Sequence, residues 1–135
     1  MFVYRGAHTN PFCIVQSINS RYGIPALFFT TNLNLARAYA RHYAHTLNLN
    51  SGGFVHQYSL PENLAVHNFN FKSSNCPVFR NLIYHLKHSR QPAVIITNVL
   101  DYPSDSLRLA DFSDLIVVFS FSLISGQQLI ESNLN

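Results

Sequence analysis

The sequence predicts an α+β fold on three observations. Two stretches have helical apolar spacing, strand-like runs flank both of them, and two late runs, "AVIITNVL" and "LIVVFSFSLI", are almost continuously β-branched or aromatic. With 135 residues the chain is expected to form one domain over 1–135, large enough to bury roughly two thirds of the surface its unfolded form exposes. Hydrophobic residues at 47% against charged residues at 11% argue for a packed core and against disorder.

Taken in order, Phe2 to Tyr4 reads as a short strand that reaches Gly6 and then a turn-rich loop, "HTNPF". "SRYGIP" is a second turn, and the apolar run "ALFF", Ala26 to Phe29, is a strand. "TTN" then supplies capping chemistry for a helix that begins near Leu33. Leu33, Ala36, Ala40, Tyr43 or Ala44, and Leu47 recur at helical spacing, with Arg37, Arg41, His42 and His45 mostly elsewhere on the helix. "NSGG" ends it, and "FVHQYSL" and "LAVHNFNF" follow as strands. Pro77 suits the first position of a second helix, which buries Val78, Phe79, Leu82, Ile83 and Leu86 and ends in Lys87, His88 and Arg90. The two late apolar runs are buried strands separated by the aspartate-containing loop "DYPSDSLRLADFSD".

Nine basic against six acidic residues give a formal charge of +3 and a pI of about 9.1, a weak preference for anionic partners without a basic arm. Cys13 and Cys76 are too few for a disulfide framework or a four-ligand zinc site. His42 with His45, and His85 with His88, are spaced for one helix face, but no cysteine or carboxylate completes a ligand set, so no metal is expected. A thiol nucleophile and a Gly-x-Ser-x-Gly elbow find no support either. No signal peptide or membrane span is read, which makes the cytoplasm the expected location and a membrane no partner.

"VYRGAH" places Arg5 and Gly6 on the first strand, and "ALFFTTNLNLARAYA" places Phe28, Thr30 and Thr31 at a strand end, with Tyr39 eleven residues after Phe28 on the helix. This order resembles the ADP-ribosyltransferase superfamily, over Phe2 to about Tyr58 and more weakly over Ala93 to Ile124. Arg5-Gly6 is similar to the Arg-Gly of the arginine-serine-glutamate branch, with Thr30-Thr31 standing near its hydroxyl motif. The Phe28 and Tyr39 spacing is similar to that of the poly-ADP-ribose polymerases and the small rifamycin-modifying transferases.

The resemblance implies two small, mostly antiparallel sheets framing a cleft, with two main helices outside, NAD as substrate, and release of nicotinamide. It implies Arg5, Gly6, Phe28, Thr30, Thr31 and Tyr39 as the NAD site, with Arg5 and Tyr39 also in the catalytic set. The catalytic carboxylate is expected at Asp114, in "SDLIVVF", with Asp101, Asp111, Glu62 and Glu131 behind it. The acceptor is a protein, a nucleic acid or a small molecule, and the context is a toxin or effector delivered into a host, which would bring a neutralising partner. On residue type alone, Arg5 also fits a surface strand end, Thr31 a helix N-cap, and Phe28 and Tyr39 core packing. Two other classes stand beside the transferase: an inactive module of the same fold that binds or inhibits, and a basic RNA-binding protein or nuclease.

Overall fold

A computed structural model describes residues 1–8, 24–103 and 112–135. Their α+β architecture is a seven-stranded mixed sheet with two α-helices. The strands are β1 (Phe2–Ala7), β2 (Leu27–Thr30), β3 (Gly53–Ser59), β4 (Ala65–Ser73), β5 (Ala93–Leu100), β6 (Ser113–Val118) and β7 (Ser125–Leu134). The helices are α1 (Leu33–Thr46) and α2 (Pro77–His88). Across the sheet the order is β4-β5-β6-β2-β1-β3-β7.

Only β4 and β5 are parallel, and α2 is their crossover. All other neighbours are antiparallel. The joints differ greatly in extent. β1 pairs with β3 along its whole length, from Phe2 opposite Ser59 to Ala7 opposite Phe54, whereas β1 meets β2 at one position, Tyr4 opposite Thr30. The sheet is therefore two continuous halves, β4-β5-β6-β2 and β1-β3-β7, meeting at a seam one residue pair long.

α1 starts where the sequence expects, but its cap is Asn32, whose side chain accepts from the amides of Asn34 at 3.0 Å and Leu35 at 3.3 Å. Its inner face is small: Ala36 and Ala40 are buried against Val55 of β3. That face lets the helix backbone touch the sheet. A Cβ on Gly6 would come within 2.7 Å of the Ala40 amide and within 2.8 Å of the Tyr39 Cβ, so glycine is what this contact admits.

α2 buries Phe79, Ile83 and Leu86, which join Leu35, Phe69, Val94, Ile96, Leu115 and Val117 in one core on the helical side. The other core holds Val3, Leu27, Phe29, Tyr58, Ile116 and Val118, with Phe121, Leu123 and Ile124 packed against it. Alternate residues of β2 and β6 thus feed opposite cores, the two-residue period of a strand buried on both faces. The run after Val118 does not continue as a strand. It turns through a short 3-10 segment, Phe121–Leu123, and returns as β7, an edge strand exposed along most of its length that sequence reading left out.

Candidate functional site

A cavity of about 590 Å³, within the size range of small-molecule sites, lies where the two half-sheets part under α1. Residues distant in sequence line it: Tyr4, Arg5 and Gly6 of β1, Phe28 to Thr30 of β2, Tyr39, His42 and Tyr43 of α1, and Asp101 to Pro103 after β5.

Arg5 pairs in register with His56 of β3 and reaches across the seam, its Nη1 donating a long, 3.5 Å hydrogen bond to the Phe28 carbonyl. Burial pushes its pKa down, opposed by nearby Tyr43 and Tyr58. Burial thus weighs against the charged form and the two tyrosines weigh for it. Burial likewise pushes the Tyr58 phenol above its ordinary range, with Arg5 acting the other way.

Asp101, 6% exposed, stands just past the last residue of β5. Its Oδ1 accepts from the Tyr39 hydroxyl at 2.9 Å and from the Ser74 hydroxyl at 2.7 Å. The Ser74 amide donates to the Leu100 carbonyl at 2.9 Å, so the ends of the parallel strands β4 and β5 are tied together immediately beside the carboxylate. Two hydroxyl donors on one oxygen fix the orientation of the group.

Of the residues expected from the sequence, Arg5, Gly6, Phe28, Thr30 and Tyr39 come together at this cavity. Thr30 is buried, and its Oγ1 accepts from the Asn32 amide at 2.9 Å, which fixes the turn into α1. Thr31 is exposed and does not line the cavity, and the N-cap of α1 is Asn32 in its place. Asp114 does not line it either. Its neighbour Leu115 does, and successive strand residues face opposite sides of a sheet, so Asp114 turns away from the face that Leu115 presents. Glu62 lies 3.7 Å from the N-terminal amine, and Glu131 pairs with Arg37, both away from the cavity lining. Asp111 and Cys13 lie outside the described residues.

Asp101, one of the four fallback carboxylates, is thus the one that lines the cavity, and Ser74, which the sequence reading does not include, holds it. Their common signal is position: in a strand-helix-strand unit, ligand groups gather beyond the carboxyl ends of the parallel strands, and "VLDY" and "KSSN" are those ends.

Cys76 is a free, half-buried thiol at the N-cap of α2. Among the described residues no group of three His, Cys, Asp or Glu side chains is placed to hold a metal ion, and no helix is long and apolar enough to cross a membrane. Compared with protein-family models and with curated proteins, the chain matches none.

Proposed function

We propose that this protein binds NAD at the seam between its half-sheets and transfers ADP-ribose to an acceptor, releasing nicotinamide. One observation carries the reading: a desolvated guanidinium, Arg5, and an oriented carboxylate, Asp101, line the same aromatic-walled cavity. A dinucleotide needs that combination, a cation for its pyrophosphate, flat faces for its rings and an acceptor for a ribose hydroxyl. We read the one-pair joint between β1 and β2 as the division between two sheets that such a cleft requires.

In this reading the Arg5 guanidinium makes a charge-assisted hydrogen bond to the pyrophosphate. Phe28, Tyr39 and Tyr43 supply ring faces. The glycosidic bond between nicotinamide and ribose breaks with its electron pair leaving on the nicotinamide nitrogen. Positive charge then builds on the sugar, and Asp101 stabilises it as hydrogen-bond acceptor and anion. The acceptor nucleophile forms the new bond to the anomeric carbon and gives up its proton to water. Ser74 is a positioning residue, because it acts through Asp101, and Tyr39 serves both ways, its ring facing the ligand and its hydroxyl holding Asp101.

Calorimetric unfolding with and without millimolar NAD, alongside an assay for free nicotinamide, tests the reading. At a hundred times its dissociation constant a ligand adds about 2.7 kcal/mol of stability. An unchanged melting temperature removes NAD from the account, and a shift without nicotinamide release assigns the fold to a binding module.

A further inference from the structure

Charge is segregated along this chain. From Asn63 to Leu100 it carries Lys72, Arg80, Lys87 and Arg90 and no Asp or Glu, so every acidic residue lies outside that span. All four cations are exposed. α2 turns Phe79, Ile83 and Leu86 inward and leaves Arg80, Tyr84 and Lys87 exposed, with Tyr84 stacked on His88 at 4.6 Å between ring centres and the Lys87 amine 5.6 Å from the centre of the Phe119 ring. Because β4 and β5 are parallel, α2 runs back from the Ser74–Asp101 end of the sheet, so Arg80 and Lys87 stand about 10 Å apart along a helix that begins beside the cleft.

At that same end β4 carries a strained aromatic. Between the pairs Asn68–Thr97 and Lys72–Val99, β4 takes four steps where β5 takes two. The surplus is absorbed by left-handed backbone at Asn70 (φ 52°) and Phe71 (φ 60°), opposite Asn98 (φ 58°). Asn68 holds the bulge: its Oδ1 accepts from the Asn70 amide at 3.1 Å and the Asn98 Nδ2 at 2.8 Å, and its Nδ2 donates to the Asn70 Oδ1 at 2.9 Å. A bulky residue in this region is a true outlier, and such strain gathers at functional sites. Here it holds Phe71, 61% exposed, edge-on to the exposed Phe112 ring at 5.1 Å.

We infer that the β4–α2 surface binds single-stranded nucleic acid and leads it to the cleft, which makes a nucleic acid the acceptor class; the second clause rests on the transferase reading. Phosphates call for spaced cations, and unpaired bases call for exposed ring faces. This surface presents both in one run, from Phe71 and Lys72 through Arg80 and Tyr84 to Lys87. An acidic protein would use the cations and leave the strained ring without purpose, and a duplex hides the base faces that such a ring stacks on.

Fluorescence anisotropy with labelled twelve-nucleotide DNA and RNA single strands, in the absence of NAD, tests the first clause. Affinity is expected to fall with salt at a log-log slope of about −2 to −3, from roughly 0.7 per phosphate contacted. Lys72→Gln with Arg80→Gln should flatten that slope by about one unit or more, and Phe112→Ala should weaken binding roughly five- to hundredfold at unchanged slope. The two exposed charge substitutions keep the test valid if the Phe112 variant fails to fold. Absence of binding at about 50 mM salt overturns the proposal, as does binding indifferent to the charge pair. Equal affinity for polyglutamate or for vesicles one third phosphatidylserine also overturns it. With NAD added, an oligonucleotide that gains the mass of ADP-ribose supports the second clause. Nicotinamide release with the oligonucleotide unmodified overturns that clause, and no release at all defeats the transferase reading while nucleic-acid binding stands.

Discussion

Tyr39 and Asp101 are 62 positions apart in the chain and are joined by a 2.9 Å hydrogen bond, the phenol donating to Oδ1. A ring expected to face the ligand therefore also holds the carboxylate. Tyr39→Phe keeps the ring and removes one of the two donors to that oxygen. Its cost should be about 1 to 2 kcal/mol in denaturant unfolding, with NAD affinity nearly kept and nicotinamide release slowed. Equal loss of affinity and turnover would show that the hydroxyl binds ligand directly.

The two candidate carboxylates separate cleanly. Asp101→Asn should retain the fold and most NAD affinity while lowering turnover about a hundredfold or more, since the lost charge acts on the transition state. Asp114→Asn, on the other side of β6 from the cavity-lining Leu115, should leave turnover within about twofold. The reverse pattern in a steady-state assay would return the catalytic role to Asp114.

Arg5→Gln removes a cation that burial already disfavours, so unliganded stability should hold or rise slightly. The NAD-induced rise in melting temperature should largely vanish. Collapse of the unliganded fold would make Arg5 a structural residue of the seam.

Gly6→Ala tests the close approach of α1 to β1. With the Ala40 amide only 2.7 Å from the added carbon, helix and strand must move apart, at a cost on the order of 1 to 3 kcal/mol in chemical unfolding. Wild-type stability would mean that α1 has slack to slide.

The contact between α1 and β7 should titrate. Arg37 donates Nε to both Glu131 oxygens, at 2.9 and 2.8 Å, and Nη2 to Oε1 at 2.7 Å, and these bonds hold the Glu131 carboxyl below its ordinary 4.5. A group depressed in the folded state adds stability above its unfolded pKa and loses it as pH falls through the folded value. The parent should therefore exceed Arg37→Gln in stability near neutrality, with the margin closing below about pH 4.5. A margin independent of pH would place the role of Arg37 in packing.

Apolar spacing made both helices and β1 to β6 legible in the sequence, with bounds shifted by a few residues. β7 was not, because "SGQQLIESNL" is an edge strand whose pairing depends on backbone bonds to β3 and scarcely on buried side chains. At the site, the residues close to one another in sequence, Arg5 with Gly6 and Phe28 with Thr30, were readable as a group. Asp101 and Ser74 were not, since the parallel pairing that unites "KSSN" with "VLDY" is set by a crossover that no local pattern encodes. Asp114 stands at a strand start, where the facing of a single residue hangs on register.

The seam gives the protein a gauge of its own occupancy. Among the described residues Tyr4 opposite Thr30 is the one backbone pair in register across it, so the amides at that pair should exchange with solvent faster than those at the long β1–β3 joint. A molecule gripped on one side by Arg5 and on the other by Phe28 and Asp101 spans that gap and clamps the halves together. Deuterium uptake at Tyr4 and Thr30 would then slow in proportion to the bound fraction, while Val3 and Tyr58 inside the β1-β3-β7 half kept their own rate. Binding at the cleft would thus be recorded in two backbone amides, whichever acceptor follows.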